Sequence, residues 1–243
     1  MTTLLEGLTT LFVGDPDVAG PLAVFPLVAK DARLEYISFA EGAARGVTVT
    51  ELPGGASVND VLVTNPLDVA VLLYEGEELI GAQQNRTVDA AVLVAAGAKL
   101  SVPVSCVEQG RWDGTRHAEP FAPSPQAAHP ELRRAKSRQM RAAVAAGAPA
   151  RADQGAVWAM VGPGPMSETF DGRRDSLDEL AGALTRRAGQ TGALVAIGGE
   201  FVVLDQVSRA DAFASLFAPL AQGYALDALA RDGAADSRRH DRA

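Results

Sequence analysis

One cysteine, Cys106, stands alone in 243 residues, so no intrachain disulfide can close. No CxxC pair occurs, and His117, His129 and His240 are isolated, without His-x-His or His-x-x-x-His spacing. Neither a metal centre nor another cofactor is expected from such a set. Positive charge is also scarce: 22 Lys and Arg stand against 30 Asp and Glu, a net charge of −8. Nucleic-acid binding rests on phosphate neutralisation, so no nucleic-acid partner is expected. Anionic membranes are disfavoured for the same reason. No apolar stretch approaches the roughly 20 residues that a transmembrane helix needs. The start, Met1-Thr2-Thr3-Leu4-Leu5-Glu6, lacks the basic region of a signal peptide, and a cytoplasmic location is expected. Gly54-Gly55 and Gly162-Pro163-Gly164 are not followed by the Lys-Ser/Thr of a phosphate loop, and there is no G-x-S-x-G elbow or internal repeat.

What is present is a chain with 47% hydrophobic residues, long enough to bury a sizeable core. Residues 21–29, 47–52, 60–63, 69–74, 79–88, 90–94 and 100–107 read as strands separated by Gly, Pro, Asn and Asp. Pro26 marks the first of them as an edge strand or a bulge. Residues 113–130 are proline-rich and read as a loop, a candidate lid. Helices are expected over 131–146, after an Asp153 cap, and over 176–187 behind the capping box Ser176-Leu177-Asp178-Glu179. Residues 193–204 turn at Gly198-Gly199 and read as a hairpin. Helices are expected over 211–218 and 223–230, with a break or a kink at Pro219 between them. The pattern predicts an α+β fold: a β-rich, sandwich or barrel-like half over 21–112, then a helical half with a hairpin. These form one domain over 1–230, with a disordered tail over 231–243.

The organising stretch is 75–112. Glu75, Glu77 and Glu78 crowd one turn; Glu77 and Glu78 read as solvated, whereas Glu75 follows a buried strand and is a catalytic candidate. Gln83-Gln84-Asn85-Arg86 interrupts an apolar sheet with four large polar residues. On an extended strand Gln83 and Asn85 would share one face, Gln84 and Arg86 the other. Amides and a guanidinium fork suit ligand binding, so Gln84, Asn85 and Arg86 are binding candidates. Cys106 shares parity with Val102 and Val104 and reads as a core residue. Glu108, Arg111 and Trp112 have two readings: a site for a ring and its phosphate, with Glu108 catalytic, or an ion pair with an aromatic lid. Parity turns Glu108 inward, which predicts a bond to Arg86 or Arg111 with Trp112 at the rim.

The segments 75–86 and 102–112, with Asp153-Gln154-Gly155-Ala156-Val157-Trp158, the hairpin at 192–205 and Tyr224-Ala225-Leu226-Asp227-Ala228-Leu229, resemble a bacterial family. It is the ADP-ribosylglycohydrolase- and rhodanese-phosphatase-associated protein domain. The resemblance covers most of the chain and implies a neighbourhood of NAD or ADP-ribose metabolism. Two functions follow. The domain binds or processes a nucleotide-derived anionic small molecule, or it is a non-catalytic interaction module for a neighbouring enzyme. The second draws on the locally basic helix at 131–146.

Overall fold

Valine at alternate positions builds the larger body of the protein. Val61 and Val63, Val102 and Val104 are all buried, while the residues between them are more exposed. Such period-two burial belongs to a sheet closed over its own core. The computed structural model describes residues 11–30, 34–55, 57–108, 110, 112–161 and 166–240. Their contacts divide the chain into two compact units: residues 1–34 with 174–243, and residues 35–173. The sequence reading had drawn one domain with internal borders at 113 and 131.

The unit of residues 35–173 is built on a closed barrel of six strands: β5 (Thr48–Thr50), β6 (Asp60–Thr64), β8 (Glu77–Gly81), β9 (Arg86–Val88), β11 (Lys99–Cys106) and β12 (Phe121–Ala127). They close in the order β11-β6-β5-β12-β8-β9. β11 serves two neighbours, pairing β6 along Lys99 to Pro103 and β9 along Val104 to Cys106. Beside the barrel, β10 (Val92–Val94) pairs antiparallel and β4 (Tyr36–Ser38) pairs parallel with β7 (Ala70–Leu73). Helix α1 (Phe39–Ala44), capped by Ser38, returns the chain from β4. One apolar cluster joins the barrel, α1 and this small sheet, from Phe39 and Val49 through Leu73 and Leu79 to Val104 and Phe121.

Three expectations fail in this unit. The proline-rich segment read as a lid contains a barrel strand, β12. Its ladder with β8 is broken between Pro123 and Ala127, where four steps along β12 face two along β8. Proline brings no N–H to a ladder, so the strand bulges over its prolines rather than failing to form. The run 79–88 is two strands and a turn. Its turn residues lie inside and not on two sheet faces, because Gly81 at φ +128° and Ala82 at φ +43° reverse the chain. Glu77 and Glu78, read as solvated, begin β8 and are 9% and 1% exposed, because the closing strands cover them. The helices follow in order: α2 (Pro130–Ala145), α3 (Gln154–Val161) and α4 (Met166–Asp171). Asp153 caps α3 as expected, accepting the Ala156 N–H at 2.7 Å.

The other unit carries an antiparallel five-stranded sheet of β1 (Phe12–Val13), β2 (Asp17–Ala19), β3 (Leu22–Val28), β13 (Gly192–Ile197) and β14 (Glu200–Gln206). The hairpin forms where Gly198-Gly199 placed it. β3 is internal, despite Pro26. β2 pairs Leu22 to Val24, β1 pairs Leu27 and Val28, and Pro26 falls in the gap between them. α5 (Arg174–Gly182) starts before the expected capping box. α6 (Ala210–His240) runs through Pro219 and includes much of the segment expected to be disordered. Leu216, Leu220, Ala221, Tyr224 and Ala225 are buried on either side of the proline, and that apolar stripe carries the helix across one missing backbone bond. The last three residues lie outside the described set. Among the described residues, no helix is long and apolar enough to cross a membrane.

Candidate functional site

The turn between β8 and β9 assembles the polar cluster. Gly81 must be glycine: a Cβ there would stand 2.9 Å from the Pro120 carbonyl oxygen, at a φ that side chains avoid. The chain then folds inward, and Ala82, Gln83, Gln84, Asn85 and Arg86 are all buried. Asn85 pins the turn by accepting the Gly81 N–H on Oδ1 at 3.0 Å. Its own N–H donates to Glu108 Oε2 at 2.7 Å. Gln84 Nε2 donates to the Glu108 carbonyl oxygen. The turn and the end of β11 are thus tied at both the backbone and the side chain of Glu108.

Arg86 has no exposed surface. Its Nη1 donates to the Gln84 carbonyl at 2.7 Å and its Nη2 to Glu51 Oε1 at 3.3 Å; both side chains of this ion pair are fully covered. A buried guanidinium without a carboxylate would be costly. Burial raises the Glu51 pKa, and Arg86 opposes that rise. The guanidinium carbon lies 5.5 Å from the centre of the Trp112 ring and 5.9 Å from that of Phe121. Trp112 is 48% exposed, so the indole stands between the guanidinium and solvent. Gln83 Nε2 meets His117 Nδ1 at 2.9 Å, and the Gln83 carbonyl accepts the Asp113 N–H at 3.1 Å.

Glu78 lies on the other side of Asn85. Its Oε2 accepts from Ser124 Oγ at 2.7 Å. Burial pushes its pKa up to about 7, with hydrogen bonds opposing and the Glu108 charge reinforcing the shift. It can therefore hold or release a proton near neutrality. Glu77, also pushed up to about 7 by burial, accepts the Tyr74 N–H at 2.5 Å.

The structure brings Gln84, Asn85, Arg86, Glu108 and Trp112 together. The carboxylate bound to Arg86 is Glu51, and Glu108 holds the turn's backbone. Arg111 lies outside the described residues. Glu75 faces Arg133 at 3.9 Å and influences Lys136, which groups it with α2. Arg133 crosses the turn where Gly76 leaves room for it and stacks 5.6 Å over Tyr74. Cys106 is buried, its thiol pushed up to about 11 by burial, and the Gln154 amide brackets its backbone at 2.8 and 2.9 Å. That environment suits a core residue and not a thiolate.

Sequence reasoning missed Glu51 and the buried pair Lys136–Asp89. Lys136 Nζ meets Asp89 Oδ1 at 2.8 Å, and Ser105 Oγ donates to the same carboxylate at 2.7 Å. Burial lowers the Lys136 pKa, with Asp89 opposing. A signal for Lys136 was available, since it lies four residues after Leu132 on the buried face of α2. Glu51 carried none, because only barrel closure delivers it to Arg86.

Among the described residues, no three His, Cys, Asp or Glu side chains are grouped as a metal site requires. No curated protein and no solved structure matches the chain. The ARPP-1 family model, described as the ARG and Rhodanese-Phosphatase-superfamily-associated Protein domain, matches residues 10–243, and the chain belongs to that family.

Proposed function

We propose that the turn between β8 and β9 is a small-molecule site covered by Trp112, and that its ligand is derived from a nucleotide, as ADP-ribose and NAD are. The observation that carries this reading is Arg86: a fully buried guanidinium behind a half-exposed indole, among side chains whose hydrogen bonds are incomplete. A base or sugar ring would replace or stack on the indole. Arg86 already answers Glu51, and Glu78 and Glu108 are close by, so this cluster is not a phosphate clamp. The anionic part of the ligand would stay on the solvent side of Trp112.

The chain has two tryptophans. In a Trp158→Phe background, Trp112 becomes the reporter. ADP-ribose or NAD should raise the unfolding midpoint saturably and change Trp112 fluorescence over the same concentration range. Trp112→Ala, read by unfolding midpoint with and without ligand, should abolish the stabilisation. No response at millimolar ligand would end this reading.

The alternative, an interaction module for a neighbouring enzyme, is favoured by the family's description and by a basic stripe. Arg133 and Lys136 are buried, but Arg134, Arg138 and Arg141 share an exposed face of α2. Reversing these three to Glu should release a co-expressed enzyme of either associated class. Unchanged co-purification removes this face as the interface.

A further inference from the structure

The five-stranded sheet is apolar on both faces, and α6 covers one of them. Leu22, Val24, Val195 and Ile197 point to that side and are buried, and the Tyr224 hydroxyl of α6 donates to Asp205 there. The strand registers put Val13, Val18, Phe25, Leu194, Phe201 and Leu204 on the other side. Val18 and Phe201 are 65% exposed, Val13 47% and Leu204 48%. The Phe25 and Phe201 rings lie 5.9 Å apart, so these side chains adjoin rather than scatter. No charged residue of the described strands interrupts them, because Asp17, Glu200 and Asp205 fall on the opposite parity. An exposed apolar patch of this extent, on the order of 400–500 Å², marks a docking surface.

A second copy of the chain fits it poorly, since a stable dimer buries about 800 Å² on each partner. The chain itself carries a closer match. Residues 1–10, outside the described set, hold Leu4, Leu5 and Leu8 and a single charged side chain, Glu6. Leu4, Leu8 and Leu11 are spaced by four and then three residues, as on one face of a helix. The segment leads into β1, whose Val13 belongs to the exposed surface. The order β1-β3-β13-β14 sets three strand spacings, about 14 Å, between β1 and Phe201 or Leu204. Ten residues span about 15 Å as a helix and about 33 Å extended, so either form reaches across. We propose that residues 1–10 lay their leucines on this face, and that the chain thereby covers in cis a surface that would otherwise join one copy to another.

The test places p-benzoylphenylalanine, a photoreactive and still apolar side chain, at position 8 of the full chain. Irradiation of mixed isotopically light and heavy protein, followed by peptide mapping, should join position 8 to residues 13–25 or 194–204 of the same chain. Phe201→Ser with Leu204→Ser should remove most of that cross-link. Leu4→Ser with Leu8→Ser should lower the unfolding midpoint by roughly 5–10 °C, raise the binding of an apolar-surface dye and promote self-association, with circular dichroism unchanged. Light-to-heavy cross-links at these residues would assign the face to a second copy and overturn the proposal. Cross-links to neither segment, or dye binding as strong in the parent as in the leucine variant, would overturn it too. If the leucine variant does not fold, the cross-link in the parent decides alone.

Discussion

Glu51→Ala tests the physical account of the cluster most directly. In the native protein Arg86 is fully buried, and Glu51 is the carboxylate with which it pairs, at 3.3 Å. Removing Glu51 leaves a guanidinium in an apolar barrel, answered by the Gln84 carbonyl and the ring faces of Trp112 and Phe121. Breaking one side of a dry ion pair costs about 3–5 kcal/mol. For a chain of this size that corresponds to a fall of roughly 6–20 °C in the unfolding midpoint. In urea the loss should lower the midpoint concentration without changing the slope, because the surface exposed on unfolding is the same. The double variant Glu51→Leu with Arg86→Met removes both charges and should recover most of the loss. If Glu51→Ala unfolds within about 1 kcal/mol of the parent, the pair is not dry and the reasoning fails.

Stability should depend on pH through Glu77 and Glu78, whose carboxyls rise from 4.5 to about 7 on burial. Between those values the folded chain holds protons that the unfolded chain has released. Their contribution is therefore full below pH 4.5 and lost as pH rises to about 7, on the order of 3 kcal/mol for each. Glu78→Gln, neutral throughout, should flatten part of that slope in urea titrations at pH 5 and pH 8; an unaltered slope rejects the assignment. Lys136→Ala should cost about 3–5 kcal/mol by stranding Asp89, whereas Lys136→Met with Asp89→Leu should cost far less; equal losses would contradict the pairing. Cys106→Ala should lose about 1 kcal/mol, and native Cys106 should label with a thiol reagent only as fast as the protein opens. Rapid labelling would mean that the thiol is accessible.

Wherever local chemistry sufficed, the sequence was legible. The α+β class, the glycine hairpin, the Asp153 cap, the inward parity of Val102, Val104 and Cys106, and the singularity of residues 75–112 all follow from periods, caps and turns. These depend on neighbours a few residues apart. Proline was misread in part: Pro123 lies in a bulged barrel strand and not in a loop, and one helix runs through Pro219, whereas the run around Pro26 is the strand expected there, internal and not at an edge. A proline removes one N–H, and the rest of each element still pairs or packs. The extended reading of residues 83–86 failed because Gly81 and Ala82 take positive φ, and the Gly81 backbone lies against the Pro120 carbonyl, just before β12, where a Cβ would not fit.

Which side chains lie buried together was decided by the tertiary structure alone. Residue types at 83–86 and 108 already announced polar chemistry in an apolar sheet. The partner of each did not follow from them. Glu51 reaches Arg86 across 35 residues, Lys136 reaches Asp89 across 47, and Ser124 reaches Glu78 across 46. A buried charge requires a counter-charge, and that much the sequence determines. Which residue supplies it is set by barrel closure, since the order β11-β6-β5-β12-β8-β9 brings distant strands within hydrogen-bond range and no local pattern encodes that order.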